Sequence, residues 1–185
     1  MRPSLLLVSV SLRVLLGVCL AGAAGCGDPP PQPGPGGVTL GTVDPRLNGD
    51  NRWVDIVDGQ DAELHPGAQG GFHIWLLYRT AGVSGSVVVR RQSDRVAPDS
   101  TTQRVLTTQG VQQITTDPWQ LPSPIPNFTC PTPIGVNVID QPIEMSVRIE
   151  DQAGTALATG RARVVARCPP VGDPQREFCL MICSG

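Results

Sequence analysis

Ile143-Glu144-Met145-Ser146-Val147-Arg148-Ile149-Glu150 alternates apolar and polar side chains without a break. Successive side chains on a strand point to opposite faces, so this run puts one set on a core and the other in water. Asp151-Gln152-Ala153-Gly154 follows as a turn, with Gly154 suited to a positive φ. The chain returns from Leu157 to Cys168 with Ala162, Val164 and Ala166 on one face and Arg161, Arg163 and Arg167 on the other. The pattern predicts an antiparallel hairpin in which Glu144, Arg148 and Glu150 face the arginines of the return strand in an exposed charge ladder.

Further strands are predicted at Trp53 to Val57, Phe72 to Arg79, Ser86 to Arg91, Gln103 to Thr108 and Val111 to Thr116, with Thr107-Thr108-Gln109-Gly110 as a hairpin turn. Phe72 to Arg79 is apolar on both faces, which suits a central strand covered on both sides or an edge at an interface. Helical spacing appears after the N-terminal region only at Arg176 to Cys183. Many short strands with regular turn signals predict an all-β fold, an antiparallel sandwich with a short tail behind it. Over Val38 to Cys168 the layout resembles an immunoglobulin-like domain. The Cys…Trp…Cys core spacing of antibody domains is absent, so the resemblance rests on the strand pattern.

The N-terminal region follows a different logic. Met1-Arg2 and Arg13 supply positive charge, and the apolar stretches on either side of Arg13 are too short for the ~20 apolar residues of a membrane span. Small residues then lead to a cysteine in Leu20-Ala21-Gly22-Ala23-Ala24-Gly25-Cys26. This resembles the lipobox of bacterial lipoproteins, although Ala23 stands where that family usually has Leu. The resemblance implies removal of residues 1–25 and acylation of Cys26. It also implies outer-membrane placement, since Gly27 rather than Asp follows the cysteine. Residues 26–37 are rich in Pro and Gly and read as an extended tether, rising ~3.1 Å per residue. Residues 38–168 then form the folded domain and residues 169–185 a cysteine-containing tail.

Composition narrows the function more than it identifies one. The 185 residues carry a formal charge of -2, which gives no electrostatic basis for nucleic-acid binding. All 14 basic residues are arginine, so neither a phosphate-binding Walker loop nor a Schiff-base lysine can be built. No Gly-x-Ser-x-Gly elbow or His-Glu-x-x-His motif is present. With Cys26 acylated and Cys19 discarded, Cys130, Cys168, Cys179 and Cys183 remain, an even set that reads as disulfides in an exported protein. Three connectivities exist for four cysteines. Residues four apart on a helix hold their Cβ atoms ~5–6 Å apart, beyond the ~3.8 Å of a disulfide. Cys179 and Cys183 are therefore expected to bond to Cys130 and Cys168, one each.

Weaker candidates remain. His65 and His73 with Met145 or Met181 form a chemically allowed copper set. Asn48-Gly49-Asp50-Asn51, Asp55, Asp58 and Asp61 are dense enough in oxygen for calcium, without the EF-hand order. Trp53, Trp75 and Trp119 offer a platform for sugar rings, with Trp75 expected in the core and Trp119 exposed. Asn127-Phe128-Thr129 matches a glycosylation sequon that has no use in a bacterial lipoprotein. The expectation is a lipid-anchored, non-enzymatic interaction or structural module of the cell envelope, held at the membrane by its lipid, with a protein or carbohydrate partner and no cofactor. The alternative is a ligand-binding lipoprotein for calcium, copper or carbohydrate.

Overall fold

The computed structural model describes residues 36–43 and 52–185. Cys26, the signal segment, most of the tether and Asn48 to Asn51 lie outside the described residues. The body is built from β1 (Val38–Thr42), β2 (Val54–Asp55), β3 (Gln60–Glu63), β4 (His65–Pro66), β5 (Phe72–Thr80) and β6 (Gly85–Val96). They are followed by β7 (Thr102–Ile114), β8 (Trp119–Gln120), β9 (Ile125–Cys130), β10 (Pro142–Glu150), β11 (Ala156–Arg167) and the helix α1 (Arg176–Cys183).

The strands make two sheets packed face to face. One has the order β3-β11-β10-β6-β7; in the other, β5 is central, with β1 and then β4 along one edge and β8 and β9 along the opposite one. The predicted hairpin forms in register, Ile143 opposite Val164 and Met145 opposite Ala162. Ile143, Met145, Val147 and Ile149 point inward and are fully buried. The Asp151 carboxylate shapes the turn by accepting from the Ala153 and Thr155 amides at 2.9 and 2.8 Å, and Gly154 takes φ +87°. Glu144 meets Arg163 at 3.2 Å as expected. Glu150 instead turns to Arg90 on β6 and to Arg148 on its own strand, both at 2.7 Å.

Several expectations need correction. The first sheet is mixed, because β3 runs parallel to β11. A parallel neighbour has to be reached by a long connection rather than a hairpin, and roughly a hundred residues separate Gln60 from its partner Val164. No turn interrupts β7: Gly110 sits opposite Val89 inside a continuous ladder and has no positive φ, so the two short strands predicted there are one. The proline-rich stretch Leu121 to Pro133 conceals β9, whose Pro126 lies opposite Trp75. Trp53 to Val57 reduces to the two residues of β2. Of the tether, Gly36 and Gly37 already touch the body, where Gly37 bridges Thr159.

Two close approaches fix how the sheets stack. At Gly160 an added Cβ would fall 1.9 Å from the Val38 carbonyl oxygen, so β1 crosses β11 where no side chain intervenes. At the other end the Asn127 amide donates to the Ser93 hydroxyl at 2.6 Å, a buried bond between the sheets that takes up the side chain of the sequon asparagine. Behind this body α1 is fastened by Cys130–Cys183 and Cys168–Cys179. The two helix cysteines bond outward, with their sulfurs 3.8 Å from each other. Phe178 of the helix packs on Phe72, ring centroids 5.9 Å apart. Among the described residues no helix is long and apolar enough to cross a membrane.

Candidate functional site

The exposed edge of β5 is where the fold opens. β1 pairs with residues 77–80 of β5 and β4 with residues 72 and 73. Between them Ile74, Trp75 and Leu76 have no ladder partner on that edge among the described residues. The Thr42 hydroxyl at the end of β1 supplies one bond, donating to the Trp75 carbonyl at 2.7 Å. Here the sheets part into a cleft of about 450 Å³, walled by Ile74 and Trp75 on one side and Ala62 and Val164 on the other. That volume lies within the ~300–1,000 Å³ usual for small-ligand sites.

The rim is acidic. Asp61, Glu63 and Asp173 line the cleft together with His65, and among the described residues no arginine does. Asp61 is held at 2.9 Å by Arg167, which also reaches Asp140. The hydrogen bonds to Asp140 and Asp61 raise the Arg167 pKa. Asp173 accepts from the Gln175 amide at 2.7 Å as the chain enters α1. A Glu63 oxygen lies 4.0 Å from Nδ1 of His65.

Beside the cleft, β4 places His65 directly opposite His73. Directly opposed residues of an antiparallel pair share a face. His73 is 3% exposed, and neither ring nitrogen has a hydrogen-bond partner. Its ring meets Trp75 edge-on at a centroid distance of 4.3 Å and Phe128 at 5.8 Å. Burial, and secondarily the neighbouring His65, lower its pKa and keep the imidazole neutral at pH 7. A buried polar group left unbonded costs ~1–3 kcal/mol, so this position runs against the usual satisfaction of buried donors.

The residues singled out from sequence are redistributed. The two histidines come together, whereas Met145 is buried in the inter-sheet core and Met181 is exposed on α1. The carboxylates proposed for calcium go separate ways. Asp55 accepts from the Trp53 indole, Asp58 from the Arg163 amide, and Asp61 binds Arg167. None of the three tryptophans stacks on another among the described residues. Trp75, expected in the core, is half-buried on the outer face of β5 at the cleft. Trp119, expected to be exposed, is buried against Tyr78 with centroids 5.7 Å apart, because β8 folds its segment onto Thr80. Trp53 packs on Gly41, where a Cβ would stand 2.6 Å from its ring, and carries the Arg79 guanidinium 3.9 Å from the ring centroid.

Thr42, Ala62 and Val164 were not foreseen as lining residues. Their signal is topological, since the gap exists only because β1 ends and β4 begins at different heights along β5. No known family of proteins matches this chain, and no curated protein sequence does.

Proposed function

We propose that this chain is a lipid-anchored protein of the bacterial envelope that acts by binding, with an immunoglobulin-like sandwich as its module. The anchor is Cys26, which the lipobox resemblance singles out, and the tether behind it sets the body away from an outer-membrane surface. The observation that carries the binding half is the cleft at the β5 edge: an aromatic wall at Trp75 beside three carboxylates. Flat aromatic surface next to hydrogen-bond acceptors suits the apolar face and hydroxyls of a sugar ring, so a carbohydrate of the envelope is the favoured occupant. Catalysis has no part in this reading.

The test has two arms. Labelled palmitate should enter the wild-type chain and not Cys26→Ala, whose precursor should accumulate. Equal labelling of both would end the lipoprotein reading. Separately, an oligosaccharide from a glycan panel should raise the melting temperature of the full chain and leave Trp75→Ala unmoved. A panel that moves neither chain, or moves both equally, would remove carbohydrate from the cleft.

A further inference from the structure

We propose that His65 and His73 form a chelating pair for a divalent transition-metal ion that favours imidazole, zinc or copper(II), with Glu63 supplying a carboxylate oxygen. This site is distinct from the lipid anchor and adjoins the cleft, which His65 and Glu63 also line. It begins with the register: β4 is only two residues long, yet it sets His65 and His73 as direct cross-strand partners. Opposed residues hold their Cβ atoms ~4.5–5.5 Å apart on one face. Two imidazoles rooted at that spacing can converge on one ion at metal–nitrogen distances of ~2.0–2.1 Å.

The second observation is the state of His73. His73 is 3% exposed, and neither ring nitrogen has a hydrogen-bond partner. Trp75 and Phe128 close two sides with ring edges and offer it no acceptor. Gly67 packs against Nδ1 of His73, where a Cβ would stand only 3.3 Å away, so the lack of a side chain leaves that nitrogen uncrowded. A buried imidazole whose two nitrogens have no hydrogen-bond partner keeps its donor capacity for a metal ion reached through His65.

The third is the surrounding chemistry. Glu63 places an oxygen 4.0 Å from Nδ1 of His65, close enough to join a shared coordination sphere after a change of rotamer. The adjoining cleft adds the carboxylates of Glu63 and Asp173, while Asp61 is already paired with Arg167. Two nitrogens and one carboxylate select zinc or copper over calcium or magnesium, which prefer all-oxygen sites.

The purified full chain would be titrated with zinc and, separately, copper(II) by calorimetry, with calcium and magnesium as controls. One ion should bind per chain at micromolar concentration. Copper should also quench tryptophan emission, because Trp75 lies against His73. His65→Gln, at a position outside the core, should lose at least tenfold in affinity without a change in fold. His73→Phe, which puts an apolar ring into an apolar surround, should lose the site and keep or raise its metal-free melting temperature. Glu63→Gln should weaken binding less than either. Zinc and copper are told apart by which gives the tighter one-to-one isotherm in competition. Absence of saturable binding by either ion would overturn the site. So would binding that survives unchanged in both histidine variants, or calcium binding as tightly as zinc.

Discussion

Gly160→Ala tests the stacking of the sheets with a single methyl group. Gly160 lies on β11 opposite Val147, and its missing side chain is the space through which β1 passes. An added Cβ would stand 1.9 Å from the Val38 carbonyl oxygen, 2.7 Å from its carbonyl carbon and 2.8 Å from its Cβ. Backbone cannot swing aside as a long side chain does, so β1 would have to retreat by more than an ångström. That movement strains its ladder to β5, where Val38 faces Thr80. Overpacking a tight site costs ~1–3 kcal/mol and sometimes more; a clash with backbone belongs at the upper end, about 3 kcal/mol. For a chain of this size, each kcal/mol lowers the melting temperature by ~2–4 °C, so a fall of about 6–12 °C is expected. Gly110→Ala is the control, the same chemical change within a strand. Gly110 has no atom within 4 Å of its would-be Cβ and no positive φ. Loss of unfolded-chain freedom should stabilise that variant by roughly 0.5 kcal/mol. Thermal and urea unfolding followed by circular dichroism measure both. If the two variants unfold alike, β1 does not cross β11 at this point and the packing described above is wrong.

The two disulfides should contribute unequally. Cys130–Cys183 spans a sequence separation of 53 and Cys168–Cys179 one of 11. Loop-closure entropy assigns them about 4 and about 3 kcal/mol respectively. Replacing both members of each pair by alanine and comparing urea midpoints checks the order, and the reverse order would refute it. Glu150 should make stability fall in acid. The hydrogen bond from Arg90, supported by Arg148, holds its carboxyl below the ordinary 4.5. The folded chain therefore binds fewer protons than the unfolded one in that range. The contribution is complete above about pH 4.5 and is lost as pH falls through the lowered pKa. Glu150→Gln should flatten the acid limb of the stability curve below about pH 4.5; an unchanged limb would show that the pair does not act in solution.

What could be read from sequence and what could not divides along a physical line. The hairpin of β10 and β11 was legible because each of its positions reports on a single face, and a slip by one residue would put Met145 and Val147 in water. The helix cysteines were legible for a similar reason: local helix geometry keeps Cys179 and Cys183 from joining each other. β7 was misread because its polar Thr and Gln residues carry no face signal. An edge strand half in solvent gives Gly110 the same look whether it turns or continues. Trp119 was misread because its neighbours Pro118 and Gln120 are turn-like, while its burial depends on β8 reaching Thr80, a contact 39 residues distant in the chain. The cleft is the extreme case. Its walls come from β1, β3, β5 and β11, none of which carries a local mark of binding, and it opens because two short strands share one edge of β5 without meeting. His65 and His73 stand between these cases. Each looked ordinary alone, and only the antiparallel register makes them neighbours. Chemistry that depends on pairing across strands is hidden from periodicity, which sees one strand at a time. A two-residue strand such as β4, with no room to display alternation, can still decide which side chains meet.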